Sequence, residues 1–256
     1  MTHAPGAIGR PMATARLKLG AGASQIDVPV SVPADAVSAE EALPAIRRLQ
    51  NELVTAAERA AAHEGRTISC KAGCGACCRQ PVPLADIEVD ALIRLVEQMA
   101  EPRRSIVRER FRQAEQRLEE IGMAARLREM GERGADDRDV RATANAYFRL
   151  GIPCPFLEDE SCSIYPDRPV TCRAYVVTSP ASLCRDVSSR EIKTLPVLHL
   201  SPALQTVSAA QTTAQRRWSV MTLMYDWRRR HAPADRRQPG PFWINALLQG
   251  LQALHK

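Results

Sequence analysis

The 256 residues are 45% hydrophobic and 25% charged, a balance that fits a globular protein and excludes a disordered polymer, a collagen and a coiled rod. The net charge of +6 is almost all arginine, since lysine stands only at positions 18, 71, 193 and 256, and it reads as solvated helix faces rather than a polyanion site. No apolar run approaches the roughly 18 residues of a membrane helix and the first twenty residues lack a secretory apolar core, so a cytoplasmic location and no membrane partner are expected.

Up to about residue 37 the chain is rich in Gly, Ala, Pro and Ser. A flexible segment is expected there, with one short strand through Ile26, Val28, Val30 and Val32. Ser38 followed by Glu41 is a capping-box signature, and Leu43, Ile46, Leu49 and Leu53 then recur at helical spacing, predicting a helix to about His63. Beyond Pro81 and Pro83, the residues Leu84, Ile87, Ala91, Leu95 and Met99 mark one face of a second helix. Val107, Phe111, Ala114, Leu118 and Ile121 predict a third between Ile106 and Met130, with mixed Arg and Glu on its other faces. Residues 132–139 read as a loop, and Val140 to Leu150 as a short helix stopped by Gly151. Further helices are expected through Val207, Ala214, Trp218, Met221 and Tyr225, and from Pro241 through Ile244, Leu247, Leu251 and Leu254. The predicted fold class is mainly α: a single helical core with irregular cysteine-rich loops pinned by metal. Its expected divisions are the segment 1–37, a cysteine-cluster metal-binding domain at 38–190 and a helical extension at 191–256.

All eight cysteines lie between positions 70 and 184. Cys70, Cys74, Cys77 and Cys78 fall within nine residues, and Gly73 and Gly75 suit a backbone that must turn tightly to converge its sulfurs. Cys154, Cys162, Cys172 and Cys184 follow in a stretch rich in proline. Buried core cysteines would keep helical or strand period, and disulfides are disfavoured in a reducing compartment, so metal ligation explains the pattern best. Four plus four is the count of two tetrahedral thiolate sites. Neighbouring side chains diverge, so Cys77 and Cys78 are expected to serve two centres or to bridge a close pair. Two zinc ions on eight thiolates carry a formal charge of about −4, and Lys71, Arg79, Arg168, Arg173 and Arg185 are candidate donors to sulfur. Zn2+ is the expected cofactor, because no redox or substrate feature asks for iron, with Fe or a [4Fe–4S] cluster as the alternative. The spacing Cys70-x3-Cys74-x2-Cys77 also partly matches the loop by which radical enzymes hold a [4Fe–4S] cluster, although Ala76 stands where an aromatic is usual there.

At these residues the chain resembles the YkgJ-like cysteine-cluster proteins, which are named for a CxxCxxCC motif and described as chelators of zinc or iron. The matching pieces are Cys70-Lys-Ala-Gly-Cys74-Gly-Ala-Cys77-Cys78-Arg79, Cys154-Pro-Phe-Leu157, and the run from Cys162 to Tyr175 containing Tyr165, Arg168, Pro169, Cys172 and Arg173. Cys184 fits a further downstream cysteine of such proteins. The resemblance implies metal binding and no particular reaction. The first gap here is three residues where the motif has two. Flagellin lysine N-methylases carry a similar stretch, which keeps an Fe–S-dependent protein-modifying enzyme as one alternative, beside a metal-linked redox switch. Tyr165 and Arg168 are expected to brace the second cysteine loop, stiffened by Pro166 and Pro169.

The segment 216–237 interleaves arginines with Trp218, Tyr225 and Trp227, but its aromatics mostly fall on an apolar face, so core packing is favoured over nucleic-acid binding. No histidine has ligand spacing to a partner, and no nucleophile elbow, phosphate loop or dinucleotide fingerprint is present. The expected partner is a metal ion.

Overall fold

The computed structural model describes residues 10–186, 191–207, 216–233 and 236–254. Strands β1 (Met12–Leu19) and β2 (Ile26–Pro33) form an antiparallel hairpin in register from Met12 opposite Pro33 to Leu19 opposite Ile26. β2 falls where the alternation of Ile26, Val28, Val30 and Val32 predicts a short strand, and its buried Ile26, Val30 and Val32 give it an apolar face that packs on the first helix.

Helix α1 (Ala39–His63) starts and stops where expected. The capping box is made: Glu41 N donates to Ser38 Oγ at 3.4 Å, and Ser38 N donates to Glu41 Oε2 at 2.9 Å. Its buried Leu43, Ile46, Leu49 and Leu53 join β2, Trp243 and Leu247 in one core, so both ends of the chain share it. Gln50 is also buried on α1. Its Nε2 donates to Leu198 O and its Oε1 accepts from Leu200 N, fixing the passing chain against the helix.

Helix α2 (Asp86–Glu97) follows Pro81 and Pro83, and α3 (Arg103–Glu120) packs beside it. The single helix expected from Ile106 to Met130 is two: Gly122, at φ +72°, turns the chain into α4 (Met123–Arg133), and Ile121 at the turn is exposed. α5 (Asp137–Arg149) begins ahead of the expected Val140 because the Asp136 side chain accepts from Asp139 N at 2.8 Å and caps it. Short helices α6 (Val170–Ala174) and α7 (Ser201–Leu204) come next.

The expected helix from Val207 to Tyr225 is not one element. Ala214 lies outside the described residues, and Ser219–Val220 is extended, paired antiparallel with Pro83–Leu84. Met221 N donates to Val82 O and Trp218 N donates to Gly131 O, so tertiary pairing overrides helical spacing until α8 (Met224–Arg230). α9 (Gly240–Leu254) closes the chain as expected. A second core joins Leu84, Leu92, Phe111, Phe156, Met221, Met224 and Trp227, and Cys154, Cys162 and Cys172 rest against it. Phe111 meets Phe156 and Tyr225 edge-on, each at 5.3 Å.

Asp226 fastens α8 to α4. The Arg128 guanidinium donates to both of its oxygens at 2.9 and 3.0 Å, and Arg230 adds a third contact at 3.1 Å. Burial alone would raise the Asp226 pKa, but these guanidinium contacts hold it below the usual carboxylate range. Its stabilisation is therefore present at neutral pH and is lost as pH falls through that range. Asp226→Asn is expected to cost about 1–3 kcal/mol at pH 7 and to flatten the acid side of the stability curve. Urea midpoints measured from pH 7 to pH 3 check this, and curves that stay parallel would show that the clamp carries no charge-dependent stability.

Candidate metal centre

The first cysteine loop leaves α1 in extended form. Ser69 N donates to Val177 O at 2.9 Å, and Val177 N donates to Cys70 Sγ at 3.4 Å, which sets the first thiol beside the chain that follows α6. Three successive turns then carry the other thiols: Cys74 N donates to Lys71 O, Cys78 N to Gly75 O, and Gln80 N to Cys77 O. Gly73, at φ +85°, takes a backbone conformation that suits glycine.

The second cysteine segment docks directly on this loop. Cys154 N donates to Cys78 O at 2.7 Å. Cys162 ends a two-residue ribbon in which Leu157 pairs with Cys162 across a turn at Asp159 and Glu160. A Cβ on Gly75 would stand 2.3 Å from Glu160 O and 2.6 Å from Leu157 Cδ1, so only glycine lets the two loops approach this closely. Cys172 sits in α6, whose start is fixed by Glu88: the fully buried carboxylate accepts from Val170 N at 2.8 Å and from Ala85 N at 3.1 Å, tying α6 to α2.

Seven cysteines, Cys70, Cys74, Cys77, Cys78, Cys154, Cys162 and Cys172, line one cavity of about 160 Å³, together with Lys71, Tyr165, Arg168, Tyr175 and Met221. Cys184 does not line it. It is buried behind, with Ala76 and Val177, against Cys70, Cys74 and Cys77. Electrostatic contact divides the thiols differently from their order in the chain. Cys184 feels Cys77, Cys70 and Cys74, whereas Cys172 feels Cys154, Cys77 and Cys162. Cys77 acts on members of both sets.

Cys70, Cys77, Cys154, Cys162, Cys172 and Cys184 hold their protons more strongly than a free thiol does. Burial pushes Cys154 up to about 12 and Cys184 up to about 11, and raises Cys70, Cys162 and Cys172. The hydrogen bond with Cys78, then burial, raises Cys77 well above the ordinary thiol range. Positive charge is what such a group of sulfurs lacks.

The nearby cations have different roles. Arg168 lies 3.9 Å over the Tyr165 ring, lowers the cost of ionising Cys70 and Cys162, and keeps a buried Nε without a hydrogen-bond partner among the described residues. That free N–H at the wall of a thiol cavity fits a donor to metal-bound sulfur. Arg79, which also feels the charge of Cys78, and Arg185 pair with Glu160, at 2.6 and 3.6 Å, and so hold the two loops together. Arg173 donates to the carbonyls of Arg168 and Pro166 and to Asn51 Oδ1, bracing the proline-rich turn from beneath. Sequence spacing did not single out Met221 or Glu88: one reads as an ordinary apolar residue and the other as a helix-surface acid.

The donor set, the cavity and the unpaired Arg168 N–H fit a soft cation. In comparison with known families, residues 69–196 match the CxxCxxCC family model, described as "Putative zinc- or iron-chelating domain". Compared with the curated proteins and with the solved structures, the chain matches none.

Gly75→Ala is expected to push the two loops apart, lowering stability by about 1–3 kcal/mol, as overpacking does, and lowering the metal bound per chain. Thermal unfolding and metal analysis of the purified variant check this. Wild-type values for both would show that the loops do not depend on contact at Gly75.

Proposed function

This chain belongs to the CxxCxxCC family, and from that premise we propose that it binds metal in a thiolate centre holding more than one metal atom. The ligands are Cys70, Cys74, Cys77, Cys78, Cys154, Cys162 and Cys172, with Cys184 completing the set behind Cys70 and Cys74. The observation that carries this reading is the width of the thiol ring. Four sulfurs bound to one zinc at about 2.3 Å stand about 3.8 Å apart. Among the described residues, no three cysteine sulfurs lie within 4.8 Å of one another; the acids Glu115, Glu119 and Asp226 form the one group of three that does, and they are paired with arginines. Seven thiols ringing a 160 Å³ space suit an assembly of iron and sulfide, in which the cysteines surround a cluster instead of a single ion.

One observation favours a second reading. Cys77 faces both thiol sets, so it can bridge a pair of zinc ions, one held with Cys70, Cys74 and Cys184 and the other with Cys154, Cys162 and Cys172. In either case the bound cations convert raised-pKa thiols into thiolates and release their protons, which ties the centre to the packing of the loops that carry it. Purification without oxygen, followed by iron, zinc and sulfide analysis, separates the two. Brown protein with iron and acid-labile sulfide is the expected result. Colourless protein with two zinc ions per chain would replace it with the second reading, and metal-free fresh protein would overturn both.

A further inference from the structure

Met221 lies outside residues 69–196, the stretch matched by the family, yet its side chain reaches the thiol cavity. The route is well defined. Ser219–Val220 pairs with Pro83–Leu84, Met221 N donates to Val82 O at 2.9 Å, and the side chain is turned inward, 4% exposed. There Cys154 donates its S–H to Met221 Sδ at 3.3 Å, while Cys154 N is held by Cys78 O.

We infer that the Met221 thioether is a further sulfur donor to the metal centre, supplied by the C-terminal part of the chain beside Cys154. This rests on the thiolate centre proposed above. Two sulfurs sharing a metal at about 2.3 Å sit about 3.8 Å apart, so the 3.3 Å pair already lies within the span of one coordination shell. Ligation by Cys154 removes the proton that joins the two sulfurs. A thiolate and a thioether left in contact then face each other with lone pairs only, and a cation touching both relieves this. A thioether also adds no negative charge to a site already rich in thiolates, and as a soft donor it favours iron–sulfur or other soft metal chemistry over a hard cation. Packing against Phe156 and Met224 asks only for an apolar shape, which leucine would supply equally.

The test uses the full chain grown with selenomethionine, purified without oxygen, with its metal content measured first. The seven methionines all carry selenium, so Met221→Leu prepared in the same way isolates one of them. Selenium-edge X-ray absorption is expected to show a metal in the first shell of selenium in the wild type and none in Met221→Leu. The variant should keep its helical circular dichroism and lose metal to a chelator about tenfold faster, the scale on which such partners act. A loaded wild type with no metal near selenium, or a variant with unchanged metal retention, overturns the role of Met221 and leaves the thiolate centre standing. Wild-type protein without metal brings down the centre and this donor together.

Discussion

Cys154 N–H donating to Cys78 O at 2.7 Å joins two segments more than seventy residues apart, and the thiol-lined cavity lies along that seam. On one side the 70–80 loop turns three times in succession; on the other, the 157–162 ribbon presents its turn to Gly75. Glu160 closes the rim through Arg79 and Arg185. The helices serve this contact. α2 and α6 are tied by Glu88 two residues before Cys172, and the core of Phe111, Phe156 and Trp227 supports Cys154, Cys162 and Cys172 from beneath.

Gathering the thiols has an electrostatic consequence. Burial and the neighbouring sulfurs raise the pKa of Cys154, Cys172 and Cys184 and favour their neutral form. Bound metal reverses that preference. Structural zinc contributes on the order of 10–16 kcal/mol in small finger peptides, comparable with the roughly 5–15 kcal/mol net stability of a whole domain. Short irregular segments with few apolar contacts of their own can therefore be held by metal where a larger core is lacking. Arg168, stacked on Tyr165, offsets part of the cost of ionising Cys70 and Cys162.

Much of this was legible in the sequence where a single local rule governs. Ser38 with Glu41 located the start of α1, Gly and Pro punctuation located the cysteine loops, and the clustering of cysteines indicated metal chemistry. The reading failed where partners distant in sequence decide the outcome. The stretch at 219–221 has apolar spacing compatible with a helix but is drawn out by Pro83–Leu84. Glu160 holds Arg79, which also feels the charge of Cys78, together with Arg185, and Cys184 groups with Cys70 and Cys74 despite standing last in the chain.

The central claim is that cysteines from both segments enclose one centre. Alkylation of the native protein and of chelator-treated protein, with each modified cysteine located by mass spectrometry, tests it directly. Metal is predicted to protect Cys70, Cys74, Cys77, Cys78, Cys154, Cys162, Cys172 and Cys184 together, and its removal to expose them together. Metal-dependent protection confined to the 70–78 group, or to the 154–172 group, would contradict it.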